Sequence, residues 1–292
     1  MHVSVLPSES IELLHVRSDG LYVDATAGAG GHSEEILKRL GPQGRLTTVD
    51  CDPQAVKGVK EKFGGDSRVK IFHARFSELF EILSREKLVP LDGILADLGI
   101  SSLQLADPSM GIGFMQEGPL DMRMDPRRDK TAADLIAELT EKELADLIYQ
   151  LGEERHSRRL ARMIVMSREK DPINTTTQLR LIAERAIGPF YRKGRIHPAT
   201  RLFQALRLAV NRELEELDIL LESIPELLAP GGRAAIISFH SLEDRKVKQK
   251  FVALKKEGWN LITKKPVIPS DEEVRSNPRS RSAKLRVIER RE

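Results

Sequence analysis

Cysteine is almost missing from this 292-residue chain: Cys51 stands alone. A lone thiol excludes an internal disulfide and any cysteine-rich metal site. The seven histidines are scattered without ligand-like spacing, so no metal is expected. Long apolar runs are absent too. None approaches the roughly 20 residues of a membrane-spanning helix, and no charged segment followed by an apolar core marks the amino end for export. The expectation is a cytoplasmic protein without membrane contact. Charge of one sign is also scarce. With 47 basic and 44 acidic residues the net charge is only +3, which by itself singles out no nucleic-acid partner. The 40% hydrophobic content at this length suffices for one large domain or two modest ones.

Against these absences stands one glycine-rich stretch, Tyr22-Val23-Asp24-Ala25-Thr26-Ala27-Gly28-Ala29-Gly30-Gly31-His32-Ser33. An apolar run ending in an acid, then glycines, then helix-forming residues reads as strand, tight turn and helix start. Such a turn lets a ligand lie against bare backbone. A dinucleotide fingerprint fails, because its third glycine would fall at Ser33, and no Gly-Lys-Ser/Thr follows to make a phosphate loop. What remains is D-x-x-x-G-x-G from Asp24 to Gly30, the pattern associated with S-adenosylmethionine, with a carboxylate near the cofactor's ammonium group. An ordinary glycine-rich βα turn is the alternative. Asp50 ends the next β-rich run, where a carboxylate takes the two ribose hydroxyls of a nucleoside, and it favours the cofactor.

Further along, strand and helix keep alternating, with Asp52-Pro53 opening a helix. Residues 68–72 form a third strand, and Phe76 beyond it reads as core or as an adenine wall. Leu91-Asp92-Gly93-Ile94-Leu95-Ala96-Asp97 is a near-continuous apolar strand, covered on both faces. The class is therefore α/β, a doubly wound Rossmann-like sheet. Asp97 ends that strand, and Ser101, Ser102 and Gln104 follow. Between 107 and 199 the rhythm stops: a long Gly-, Met- and Pro-rich loop at 110–128, of a kind usually functional or mobile, precedes several helices, one opened by the capping box Thr140-x-x-Glu143. The division expected is a discontinuous sheet domain of 1–106 and 200–292 around an all-helical insert. Arg155, Arg158, Arg159 and Arg162 on one helix, with the basic loop Arg192-Lys193-Gly194-Arg195-Ile196-His197, suit either a solvated face or a phosphate-tracking surface. After one long helix over 198–222, the strand ending at Phe239 leads into His240 and another helix, with last strands at 261–264 and 284–289.

Methyl transfer from a sulfonium needs its nucleophile positioned about 3–3.5 Å from the methyl carbon. Methylation at C5 of a pyrimidine requires an attacking cysteine, and Cys51 sits next to Asp50, away from Asp97. An exocyclic amine needs no covalent step, only an acceptor for its N–H such as Asp97, helped by Ser101 or Ser102.

Several segments together, among them Asp24 to Ser33, Asp97-Leu98-Gly99-Ile100-Ser101-Ser102-Leu103-Gln104, Gly118-Pro119-Leu120-Asp121-Met122-Arg123-Met124-Asp125, His197-Pro198-Ala199-Thr200-Arg201, Ser238-Phe239-His240-Ser241-Leu242-Glu243-Asp244-Arg245 and Asn277-Pro278-Arg279-Ser280-Arg281-Ser282, closely resemble the MraW/RsmH family. Members are bacterial S-adenosylmethionine-dependent methyltransferases acting on N4 of a cytidine in the decoding region of 16S ribosomal RNA. The resemblance implies cofactor contacts at Gly30, Gly31, His32, Asp50, Phe76, Asp97 and Gln104, to which the turn itself adds Asp24 and Gly28. It implies the small ribosomal subunit as partner and a monomer or homodimer. Asp97, Ser101 and Ser102 are the candidate catalytic residues, and Arg123, Arg155, Arg195, His197 and His240 the candidate substrate contacts.

Overall fold

The computed structural model describes residues 4–191 and 196–292. In chain order the elements are α1 (Pro7–Leu14), β1 (Leu21–Asp24), α2 (Gly31–Leu37), β2 (Arg45–Asp50), α3 (Pro53–Phe63), β3 (Val69–His73), α4 (Phe76–Arg85) and β4 (Leu91–Asp97). Six helices follow: α5 (Ser102–Ala106), α6 (Ala132–Glu138), α7 (Glu141–Gly152), α8 (Ser157–Arg168), α9 (Thr176–Ile187) and α10 (Ala199–Asn211). The chain ends with α11 (Glu213–Leu227), β5 (Leu228–Ser238), α12 (Ser241–Lys256), β6 (Asn260–Leu261), α13 (Asp271–Ser276) and β7 (Lys284–Glu289). These fall into two compact units, one of residues 1–99 with 214–292 and one of 100–213.

The first unit is a seven-stranded sheet of order β3-β2-β1-β4-β5-β7-β6. The strands β1 to β5 run parallel, and β7 pairs antiparallel with both β5 and β6. Alternate residues feed two cores. Val23, Val49, Ile94, Ala96, Ala234 and Ile236 face α4, α11 and α12, packing with Leu79, Leu220 and Phe251. Tyr22, Leu46, Leu95, Ala235 and Ile237 face α1, α2 and α3, packing with Ile11, Ile36 and Val59. This is the doubly wound architecture read from the apolar strands, with each buried Leu, Ile or Val side chain contributing about 1.5–3 kcal/mol. The strand order reverses between β1 and β4, so the loops leaving those two strands diverge and open a crevice at their carboxyl ends.

The second unit is helical throughout its regular structure. Leu144 and Ile148 of α7, Leu160 and Ile164 of α8, Leu179 of α9 and Leu202 and Leu206 of α10 have no exposed surface. The box at Thr140 and Glu143 closes as the spacing predicts, and Thr175 with Gln178 makes another at the start of α9.

Several boundaries differ from those drawn on sequence. The expected long helix over 198–222 is two helices, because Arg212 takes a left-handed conformation (φ 51°) and stops the hydrogen-bond ladder. The helical unit consequently reaches residue 213 rather than 199, and starts at 100 rather than 107. Arg155 sits in the turn before α8, not on that helix, and β6 is the two-residue pair 260–261.

Loop 110–128 is not loose. Leu120, Met122, Met124 and Asp125 are buried, and the Asn211 side chain accepts from Met124 N (2.8 Å) while donating to the carbonyls of Met122 (2.8 Å) and Arg207 (3.0 Å). A single amide at the end of α10 thus satisfies backbone groups that burial would otherwise strand.

Candidate active site

The turn after β1 is held from both neighbouring strands. Asp50, at the end of β2, accepts from Gly28 N (2.8 Å) through one carboxylate oxygen and from Asp52 N (2.9 Å) through the other. Thr26 Oγ1 accepts from Asp97 N (2.6 Å), tying the same turn to the end of β4. Close approach of a neighbour explains two of the glycines. Gly30 has φ 77°, and a Cβ there would fall 2.8 Å from the Phe63 ring. At Gly31 a Cβ would lie 2.0 Å from Ser4 Oγ, so the segment leading into α1 closes directly on the start of α2. Gly28 also takes a left-handed backbone (φ 50°), but a Cβ there would meet only Thr26 O at 3.9 Å, leaving open space beside bare backbone.

Asp24 is fully buried, with Oδ2 accepting from Ser33 Oγ (2.6 Å) and Oδ1 from Thr26 N (3.2 Å). Its carboxylate braces the turn through these two bonds. Burial raises its pKa above the usual carboxylate value, with the charge of His32 opposing the shift. His32 is 4% exposed; its Nδ1 shares a hydrogen bond with Ser10 Oγ (3.4 Å), while its Nε2 lies 3.4 Å from Asp97 Oδ2 without hydrogen-bond alignment. Burial opposes the charged ring, yet the Asp97 and Asp24 carboxylates outweigh it and raise the His32 pKa. Asp97 Oδ1 is buried and has no hydrogen-bond partner among the described residues. Buried oxygens without partners are uncommon in a folded chain and call for an explanation.

Burial also pushes Asp50 up to about 6, with the Asp52 and Gly28 N–H groups pulling the other way. Each Asp50 oxygen accepts one protein hydrogen bond and has a second lone pair left. Phe76 opens α4 half-buried against the core beside β3.

The remaining predicted residues are held differently. In the helical unit Ser101 and Gln104 cap one another at α5: Gln104 N donates to Ser101 Oγ (3.1 Å) and Ser101 N to Gln104 Oε1 (2.9 Å). Ser102 is the first residue of that helix and half-buried. Arg123 grips Asp121 through Nε and Nη2 (both 2.8 Å) and donates to Arg128 O (3.1 Å), so it braces its own loop. His197 stacks on Phe114 (4.8 Å between ring centres), sits 3.1 Å from Glu184 Oε1 and accepts from Ala199 N. Arg155 is exposed without a hydrogen bond or ion pair among the described residues, and Arg195 lies outside them. His240, in the first unit, caps α12. Thr26, Ser10 and Ser33 were missed on sequence; the Thr26 contact spans 71 positions, and no local spacing encodes it.

The model of the MraW methylase family matches residues 1–291. The chain belongs to that family. It is similar to curated proteins named ribosomal RNA small subunit methyltransferase H. The one from Sorangium cellulosum is 51% identical over 292 residues, covering 99% of this chain and 90% of that one. Those from Koribacter versatilis and Solibacter usitatus are 48% identical, covering 94% and 100% of their own lengths. The chain is thus a methyltransferase, and its methyl donor is S-adenosylmethionine. The residues fit that donor: bare backbone with open space at Gly28, spare lone pairs on Asp50 for a ribose, and unpartnered buried atoms on Asp97 and His32. Among the described residues no helix is long and apolar enough to cross a membrane, and no cluster of ligands could hold a metal.

Proposed function

We propose that this protein methylates N4 of a specific cytidine in the decoding region of 16S ribosomal RNA. The observation that carries the reading is Asp97 Oδ1, buried and unpartnered at the end of β4, beside the strand-order reversal. The cytosine amino nitrogen is a poor nucleophile because its lone pair is spread into the ring. A carboxylate accepting one of its N–H bonds orients the nitrogen and receives the proton that it sheds as the new N–C bond forms. His32 lies 3.4 Å from the other Asp97 oxygen and is placed to orient that carboxylate. S-adenosylmethionine supplies the methyl group from its sulfonium, with the ribose hydroxyls on Asp50 and the turn at Gly28, Gly30 and Gly31 against the rest. Ring-carbon methylation is disfavoured by position: Cys51 follows β2, two strands from β4, or about 10 Å across the sheet.

In the helical unit, exposed Arg155, Arg158 and Arg162 suit RNA phosphates, since none has a hydrogen bond or ion pair among the described residues. The test is transfer of labelled methyl from S-adenosylmethionine to small-subunit particles and to naked 16S RNA, followed by nucleoside mass spectrometry. N4-methylcytidine at one position is expected. Label on another base or atom, or on no RNA at all, overturns the reading.

A further inference from the structure

We propose that a cavity between the ends of β5 and β7 holds a nucleotide adjacent to the target cytidine on the same RNA strand; this rests on the reading of the protein as an RNA cytidine methyltransferase. The cavity measures about 680 Å³ and lies wholly within the sheet unit. That volume falls in the range of small-ligand sites. Phe239 and His240 line it on the β5 side, Ile268 and Val274 form an apolar wall, and Arg281 and Lys284 supply positive charge. Asp271 also lines it, so the charge is mixed rather than purely basic.

Position is the first argument. Asp97 pairs in register with Ile237, two residues before Phe239, and a Cβ on Gly99 would lie 3.7 Å from the Phe239 ring. Along the carboxyl edge of the sheet the order is Asp50 on β2, the glycine turn on β1, Asp97 on β4, then Phe239 and His240 beyond β5. The cavity therefore flanks Asp97 on the side opposite the donor residues, about one strand spacing of 4.8 Å further along. A base placed at Asp97 has its strand neighbour there.

Chemistry is the second. The loop entering the cavity is already fixed: buried Glu243 accepts from Phe239 N (2.9 Å) and His240 N (3.3 Å). The His240 ring is spent on the same loop: Nδ1 accepts from Glu243 N (3.4 Å) and Nε2 lies 3.2 Å from Glu243 Oε1. Arg281 is exposed and makes no hydrogen bond or ion pair among the described residues, as do Arg275 and Arg279 on the same segment. An aromatic face for stacking and an unpaired guanidinium for phosphate are parts from which single-stranded RNA readers are made. Lys284 is already paired with Asp244 (3.1 Å), so Arg281 carries the phosphate contact.

The experiment places 4-thiouridine at each position flanking the target cytidine in a small-subunit RNA substrate, crosslinks it to the full-length protein, and maps the crosslinked peptides. One flanking position is expected to crosslink within 239–241 or 268–284. Arg281→Gln is expected to raise KM for RNA about tenfold, equivalent to about 1.4 kcal/mol, with kcat at saturating RNA and donor binding unchanged. Ile268→Trp, at a side chain 65% exposed that tolerates replacement, fills the cavity and removes the crosslink. Crosslinks confined to other segments, or a wild-type KM in both variants, overturn the inference. Nucleoside analysis of the same samples separates the two claims. N4-methylcytidine with crosslinks elsewhere sinks the cavity alone; methyl on another atom sinks the parent reading while the crosslink map still decides the cavity.

Discussion

Polar side chains at the strand ends of the sheet unit leave atoms unused, whereas many of those singled out in the helical unit are consumed by their neighbours. Asp97 keeps one oxygen without a partner, and Asp50 accepts only one protein hydrogen bond on each oxygen. Arg123, by contrast, spends Nε and both terminal nitrogens on Asp121 and Arg128 O, and Ser101 closes on Gln104. The cause is architectural. A parallel sheet brings its strand ends to one edge whatever the loops contain, so acids there are positioned by topology. Short helices and a long connection instead have many backbone groups to satisfy, and nearby polar side chains do that work.

The contrast breaks most easily at Asp97. Asp97→Asn, which keeps the side chain's volume beside His32, is expected to lower methyl transfer to RNA by about 10²–10⁴-fold, with the thermal midpoint measured alongside to show that the variant is folded. Residual activity within tenfold of wild type, read as labelled methyl transferred per minute, would remove Asp97 from the chemistry. Asn211→Ala tests the opposite kind of residue. It strands the backbone groups of Met122 and Met124 in a buried setting, so a loss of about 2–4 kcal/mol is expected in denaturant unfolding. Donor affinity, measured by calorimetry, stays unchanged.

The same contrast governs what could be read from the residues alone. The glycine turn, Asp50 and Asp97 were legible because each lies where an apolar run ends, and strand-end position follows from pattern and fold class together. Asp24 lies in the same motif, but its bond from Ser33 Oγ across the turn is not encoded in the spacing. Loop 110–128 read only as functional or mobile, since its anchor, Asn211, comes more than eighty residues later. The break at Arg212 was invisible because the apolar periodicity runs through it, Leu206 on one side and Leu217 on the other, while the left-handed residue carries no glycine signal.

A smaller effect sharpens the contrast through pH. Burial holds Asp50 at about 6 against an ordinary 3.8. For folding, a raised carboxyl contributes stability that is full below the unfolded value and is lost as pH rises through the folded one. Donor binding runs the other way, since only the ionised group accepts from both ribose hydroxyls. Affinity for S-adenosylmethionine is expected to be full above about pH 7 and to fall by up to about tenfold per pH unit below about 6. Asp50→Asn is expected to bind weakly at every pH, with the slope removed. A wild-type slope in that variant would assign the titration to another group.

The smallest effect separates two arginines of the helical unit that composition cannot tell apart. Arg155 is exposed with no hydrogen bond or ion pair among the described residues, and Arg123 is held by three. If the proposed RNA role is right, Arg155→Ala weakens RNA binding a few-fold at low salt and lowers the slope of log affinity against log salt by about 0.7, the share of one phosphate on a single strand. Its thermal midpoint does not move. Arg123→Ala gives the reverse, a stability loss of about 1–2 kcal/mol with an unchanged salt slope, because the charge it removes was already neutralised by Asp121. An Arg123 variant that changed the slope would show that its guanidinium leaves Asp121 to meet RNA, and the distinction between the two regions would then lie in timing rather than in architecture.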